Sequence, residues 1–162
     1  MKKNMKEKKE QTQTNPDVVG TDEVGWLYTD TVKEHFFRPK NIFITKDEEE
    51  KYTKEADGVG QVGSPSCGDV MKMIIKVDKK SNTISDLKWK TFGCASAIAS
   101  TSMLSVMAIG KSLEEAKKIT PQDILKELGG LPPRKIHCSV LGDQALRAAI
   151  RDYEKKNGLL KN

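Results

Sequence analysis

The run from Phe92 to Gly110 carries no charged side chain. No other stretch constrains the fold as much, because a charge-free segment of that length must be covered by the rest of the molecule. Ala95, Ala99, Met103, Val106 and Met107 recur on one face at helical spacing, with small residues elsewhere, which predicts a buried helix. The run is too short and too rich in serine and threonine for a membrane span.

The segments flanking this helix supply what it packs against. Val70 to Val77 and Ile84 to Phe92 are rich in β-branched and aromatic residues, and the polar stretch Asp78 to Asn82 between them suits a hairpin. Leu87 and Trp89 point one way, and Asp86, Lys88 and Lys90 the other, so the sheet should have one wet face. Thr29 to Phe37 reads as a short helix with Thr29 or Asp30 as N-cap, ended by Pro39, with Val32, His35 and Phe36 inward. His35 is therefore a packing residue. Lys46 to Asp57 is charged and reads as a surface loop, and Gly58 to Ser66 as a glycine-rich approach or a plain turn. Gly110 suits a helix stop, Ser112 with Glu115 a capping box, and Thr120-Pro121-Gln122-Asp123 a second helix start. The last helix spans about 139 to 155. Leu146, Ala149, Ile150 and Tyr153 are its apolar side, and Asp143, Arg147, Arg151 and Lys155 its exposed stripe. This order of elements implies an α+β fold.

At 162 residues the chain fits one domain, bounded at 26 to 158 with a solvated, disordered tail at 1 to 25 and a short C-terminal tail at 159 to 162. The net charge of +5 is concentrated: five lysines (2, 3, 6, 8, 9) against two glutamates (7, 10) put +3 in the first fifteen residues, leaving +2. With aromatic residues at 6% and lysines alternating with acids, no basic reading face emerges, so nucleic acid is not expected. The N-terminus lacks the apolar core of a signal peptide, and its glutamates argue against a transit peptide. The chain reads as soluble, cytoplasmic and without a membrane partner.

Cys67, Cys94 and Cys138 are odd in number and widely spaced, which speaks for reduced thiols rather than a disulfide framework. Each sits at a predicted junction: Cys67 before the first strand, Cys94 between strand and buried helix, Cys138 at the start of the last helix. All three can converge at one end of the sheet. At helix N-termini, unpaired amides and the helix dipole favour the thiolate of Cys94 and Cys138. Asp69 and His137 stand beside them, so three sulfurs are offered with a choice of oxygen or nitrogen. Such a set suits zinc as well as iron. Inert buried thiols, and for Asp69 a turn residue, are the plain alternatives. A thiol enzyme is disfavoured, because no C-x-x-C exists and one histidine alone adjoins a cysteine.

The segments Gly63-Ser64-Pro65-Ser66-Cys67-Gly68-Asp69, Thr91-Phe92-Gly93-Cys94-Ala95-Ser96-Ala97 and Leu131 to Ser139 resemble the iron–sulfur cluster scaffold family of IscU and the N-terminal part of NifU. The likeness runs from about Tyr28 to Tyr153. It implies a small antiparallel three-stranded sheet packed against helices, of the IscU/SufE-like kind, and a carrier rather than an enzyme. The implied role is assembly of a transient [2Fe–2S] cluster from iron and desulfurase-derived sulfur, followed by its transfer to apo-proteins. Cys67, Cys94 and Cys138 would be ligands, with Cys138 the main persulfide acceptor. Asp69 would set cluster lability, since an incomplete thiolate set gives a less durable centre, and His137 would be an alternate or added ligand. The implied partners are a cysteine desulfurase, apo iron–sulfur proteins, an electron donor such as a ferredoxin and, through Leu131 to Lys135, a DnaK-type chaperone. A homodimer is compatible with the reading.

The competing branch, of the SufU type, is a zinc-bound sulfur acceptor that carries an insertion between the second and third cysteines and lacks this histidine. His137 and the plain 94-to-138 interval favour the cluster-building branch. The long N-terminal tail, the extended acidic segment around Lys46 to Glu55, and Arg134 in the chaperone-recognition stretch depart from the family pattern.

Overall fold

The computed structural model describes residues 28–64 and 68–160, with only the backbone for 64 and 137–139. The expected tail at 1 to 25 and Cys67 therefore lie outside the described residues. In chain order the elements are α1 (Asp30–Phe37), α2 (Lys46–Lys54), β1 (Gly58–Ser64), β2 (Asp69–Asp78), β3 (Thr83–Phe92), α3 (Ala95–Ala108), α4 (Leu113–Lys117), α5 (Pro121–Leu128), a 3-10 segment (Pro133–Ser139) and α6 (Val140–Lys156). The strands form one antiparallel sheet in the order β1-β2-β3, the α+β architecture expected.

Helices α6 and α3 cover the inner face of the sheet. Met71, Met73, Ile75, Leu87 and Trp89 point into this layer and are fully buried, together with Leu104 and Leu146. The glycines of β1 explain how α6 comes so close: a Cβ on Gly60 would lie 2.2 Å from the Ala145 carbonyl oxygen, and one on Gly58 would lie 2.2 Å from that of Ala149. The glycine-rich run is thus an edge strand whose missing side chains admit a helix backbone, rather than a turn.

Helix α3 is buried on nearly every side, and its hydroxyls dock the preceding segment. Ser102 Oγ accepts from the Lys40 amide at 2.8 Å and meets His35 Nδ1 at 2.7 Å, Asn41 Nδ2 donates to Ser105 Oγ at 3.0 Å, and Tyr28 Oη lies 3.2 Å from Ser96 Oγ. His35 is a buried packing residue, as expected, and also a hydrogen-bonded one. Val106, placed on the buried face by spacing, is 50% exposed, because the contacts of α3 run through its serines and not along a single apolar stripe.

Two expectations fail on the outer face. Lys46–Lys54 is a helix, not a loop: Thr45 caps it by accepting from the Glu48 amide at 3.1 Å, and Tyr52 joins Phe43 and Ile74 in a small second core. The face is consequently not simply wet. Glu49 bridges Lys72 at 2.8 Å and Lys90 at 2.9 Å, Glu48 pairs with Lys88, Glu55 pairs with Lys76 at 2.7 Å, and Tyr52 Oη donates to Asp86 at 2.9 Å. Acids at helical spacing on α2 meet the lysines that alternate along β2 and β3.

The remaining starts and stops follow the sequence. Capping boxes open α4 at Ser112 and α5 at Thr120, and α5 stops at left-handed Gly129. The last helix runs from Val140 to Lys156, close to the expected 139 to 155, and is preceded by the 3-10 segment. Asp143, assigned to the exposed stripe, is 7% exposed; it is held by Arg147 Nε at 3.1 Å, and its burial raises its pKa despite that partner. Among the described residues no helix is long and apolar enough to cross a membrane.

Candidate functional site

One end of the sheet gathers the chemistry. There β2 begins at Asp69, opposite Ser64 of β1, and Val70 pairs with Phe92 of β3. Thr91 Oγ1 donates to the Val70 carbonyl at 2.8 Å and locks the last rung. Gly63, at φ +85°, brings the β1 end so close that a Cβ would lie 2.1 Å from the Asp69 carbonyl oxygen, a conformation and a contact that only glycine accommodates.

Asp69 is exposed, and its carboxylate reaches across the strand ends: a Cβ on Gly93 would lie 3.6 Å from Asp69 Oδ1. Gly93 is the residue immediately before Cys94. Cys94 itself is the N-cap of α3, with extended backbone (φ −75°, ψ 171°), is half-buried, and does not use its side chain as a cap. Cys94 thus stands at the amino-terminal end of a fourteen-residue helix. The Asp69 carboxylate of β2 thus stands beside the residue that precedes Cys94 at the β3–α3 junction.

His137 and Cys138 lie in the 3-10 segment, which packs against α3 and runs directly into α6. Helix α6 runs antiparallel to β1, with Ala149 beside Gly58 and Ala145 beside Gly60, and the 3-10 segment that precedes it lies against α3 and α5. Among the described residues no group of three His, Cys, Asp or Glu is close enough to hold a metal ion; the structure brings Asp69 to the Cys94 junction, and Cys67 lies outside it.

Residues that sequence reasoning passed over also shape this corner. Gly93 leaves room for the Asp69 carboxylate, and Tyr28 reaches Ser96 in the first turn of α3. A glycine directly before a junction cysteine was the available signal for the first. Nothing in the sequence announced the second, since a tyrosine before a helix cap names no partner.

A three-stranded sheet backed by two helices, with a thiol at a strand-to-helix junction and a carboxylate beside the preceding glycine, defines a small α+β thiol-bearing domain. The model of the NifU-like N terminal domain matches residues 27–159, and the chain belongs to that family. It is 52% identical over 132 residues to an iron–sulfur cluster assembly scaffold protein IscU of Archaeoglobus fulgidus, covering 82% of this chain and 80% of that one. To the protein of the same description from Aquifex aeolicus it is 47% identical over 131 residues, 81% of this chain and 78% of that one. Among solved structures, a NifU-like N-terminal protein of Brucella abortus superposes with a TM-score of 0.55 at 21% identity, over 80% of this chain and 96% of that one. This likeness bears on the fold alone.

Proposed function

We propose that this chain is a scaffold on which a [2Fe–2S] cluster is assembled and from which it is passed to apo-proteins. The observation that carries the reading is that Asp69 stands beside Gly93, the residue before Cys94, at one end of the sheet, while His137 and Cys138 belong to the 3-10 segment that packs against the helix Cys94 opens. Cys67 lies in the sequence between Ser64 of β1 and Gly68, which adjoins Asp69. The similarity to proteins named as cluster scaffolds supports the same role.

In this reading Cys67, Cys94 and Cys138 bind the cluster as thiolates, with Asp69 or His137 completing the set. Three thiolates and one weaker ligand hold iron firmly enough to build on and loosely enough to release. Sulfur arrives as a desulfurase persulfide. The Cys138 thiolate attacks its terminal sulfur, a new S–S bond forms on Cys138, and the desulfurase cysteine leaves as thiolate. Reduction of that sulfur to sulfide takes two electrons from a ferredoxin-type donor. Zinc would compete for the same thiolates before iron is loaded. Leu131 to Lys135, with Pro133 and Arg134 exposed, is where a DnaK-type chaperone would engage.

The test is anaerobic incubation with ferrous iron, cysteine, a cysteine desulfurase and reductant. A brown protein should form whose visible absorption decays as an added apo-ferredoxin gains its own. Cys94→Ser should lose most of that colour. A colourless parent protein with intact thiols and stoichiometric zinc would refute the scaffold reading.

A further inference from the structure

The outer face of the sheet ends in a row that α2 leaves bare. Across the strands the rows are Val59, Ile74 and Lys88, then Gln61, Lys72 and Lys90, then Gly63, Val70 and Phe92. Tyr52, Glu48 and Glu49 of α2 cover the first two. The third, nearest Cys94, is open, and Phe92 is 65% exposed. A cavity of about 590 Å³ lies over it, with Val70, Phe92, Lys72 and Lys90 in its lining. Such a volume holds a large aromatic side chain and several neighbours.

We propose that residues 16–27 of this chain dock in this groove, with the Trp26 ring on Val70 and Phe92. Three observations select this occupant. The segment ends at Tyr28, whose hydroxyl meets Ser96, only four residues beyond Phe92. At ~3.5 Å per extended residue, Trp26 can reach the groove without strain. The chemistry also matches: residues 16–27 carry Asp17, Asp22 and Glu23, no basic residue, and the apolar Val18, Val19, Val24, Trp26 and Leu27. Against them stand two rim lysines that share a single carboxylate, Glu49, and an aromatic floor that favours an offset or edge-on ring. Finally, the tether is short, so the docking is intramolecular and modest contacts suffice.

Tryptophan reports on this directly, since the chain has two, Trp26 and Trp89, and Trp89 is fully buried with its Nε1 donating to the Lys40 carbonyl at 2.8 Å. Full-length protein labelled with fluorotryptophan gives two ¹⁹F resonances, assigned with Trp26→Phe. The Trp26 resonance should stand apart from that of the free amino acid at all protein concentrations. It should move to the free position in Phe92→Ala, in the triple variant Asp17→Asn, Asp22→Asn, Glu23→Gln, and at high salt. An unmoved Trp89 resonance shows that each variant is folded. A Trp26 resonance already at the free position, or one indifferent to Phe92→Ala, overturns the proposal. So does a concentration-dependent shift, which would assign the groove to a second copy.

Discussion

Gly60 and Ala145 meet backbone to backbone: a Cβ on Gly60 would lie 2.2 Å from the Ala145 carbonyl oxygen and 2.4 Å from the Ala149 amide nitrogen. Neither atom can swing aside as a side chain would, so β1 and α6 must part if the glycine is replaced. Since α6 continues from the 3-10 segment, its seat on Gly60 also helps hold the segment that carries His137 and Cys138. Gly60→Val should therefore cost about 3 kcal/mol, the upper part of the range for overpacking, read as a lower urea midpoint. The fraction still folded should assemble less cluster than the parent. Unchanged stability would mean that α6 can slide without penalty and that Gly60 does not fix its seat.

Asp69→Ala tests the carboxylate at the Cys94 junction. If Asp69 is the ligand that makes the cluster leave, the variant should hold its cluster severalfold longer, followed as decay of visible absorption on addition of apo-ferredoxin. Asp69 is exposed, so folding should be unaffected and the two effects can be separated. Faster loss from the variant would contradict the lability role.

How much of this was legible depends on what kind of force made each feature. Capping boxes at Ser112 and Thr120, the β2–β3 hairpin and buried α3 were readable because local hydrogen bonding and periodicity determine them. Strand β1 and helix α2 were not. Gly58 and Gly60 have no intrinsic strand preference and are there to admit α6, while α2 has few apolar residues and is held by lysines that sit far away in sequence on β2 and β3. Asp143 was misplaced for the same reason, because α6 is buried on a wider arc than its apolar residues mark. At the candidate site, the cysteines, Asp69 and His137 stood out by type and spacing, whereas Gly93 and Tyr28 matter through contacts that only the fold creates.

Glu49 is the keystone of the outer face, 12% exposed and bridging Lys72 and Lys90. Its hydrogen bond from Lys72, then that from Lys90, holds its pKa down despite burial. With the folded pKa below the unfolded one, the contribution is complete above the unfolded value of about 4.3 and is lost as pH falls through the folded value. Both lysines are partly exposed, so Glu49→Gln should cost only about 1 kcal/mol. Its clearer signature is faster amide exchange in α2, a difference that narrows at high salt as screening weakens the parent's bridges too. Exchange identical to the parent would show that Phe43, Tyr52 and Ile74 hold α2 unaided.

Among the described residues Thr101 Oγ1 is buried without a hydrogen-bond partner, in the tight crossing where a Cβ on Gly142 would lie 3.0 Å away. Thr101→Val removes that hydroxyl at nearly constant shape, so it should leave stability unchanged or raise it by about 1 kcal/mol. A clear loss in the urea midpoint would reveal that the hydroxyl is satisfied by water.

His35 couples the docking of α1 to pH. The Lys40 amide donates to Ser102 Oγ, which leaves the Ser102 proton for His35 Nδ1, so the network assigns a neutral imidazole protonated at Nε2. Burial lowers its pKa, the Lys40 charge lowers it further, and Glu34 opposes both. The sign follows: above the unfolded value of about 6.5 neither state is protonated and the contribution is complete. As pH falls from there towards the folded pKa, the unfolded chain takes up its proton first and stability declines. Urea midpoints at about pH 7.5 and pH 5.5 should therefore fall more in the parent than in His35→Gln, whose amide oxygen can still accept from Ser102. Equal declines in the two proteins would place the acid sensitivity elsewhere.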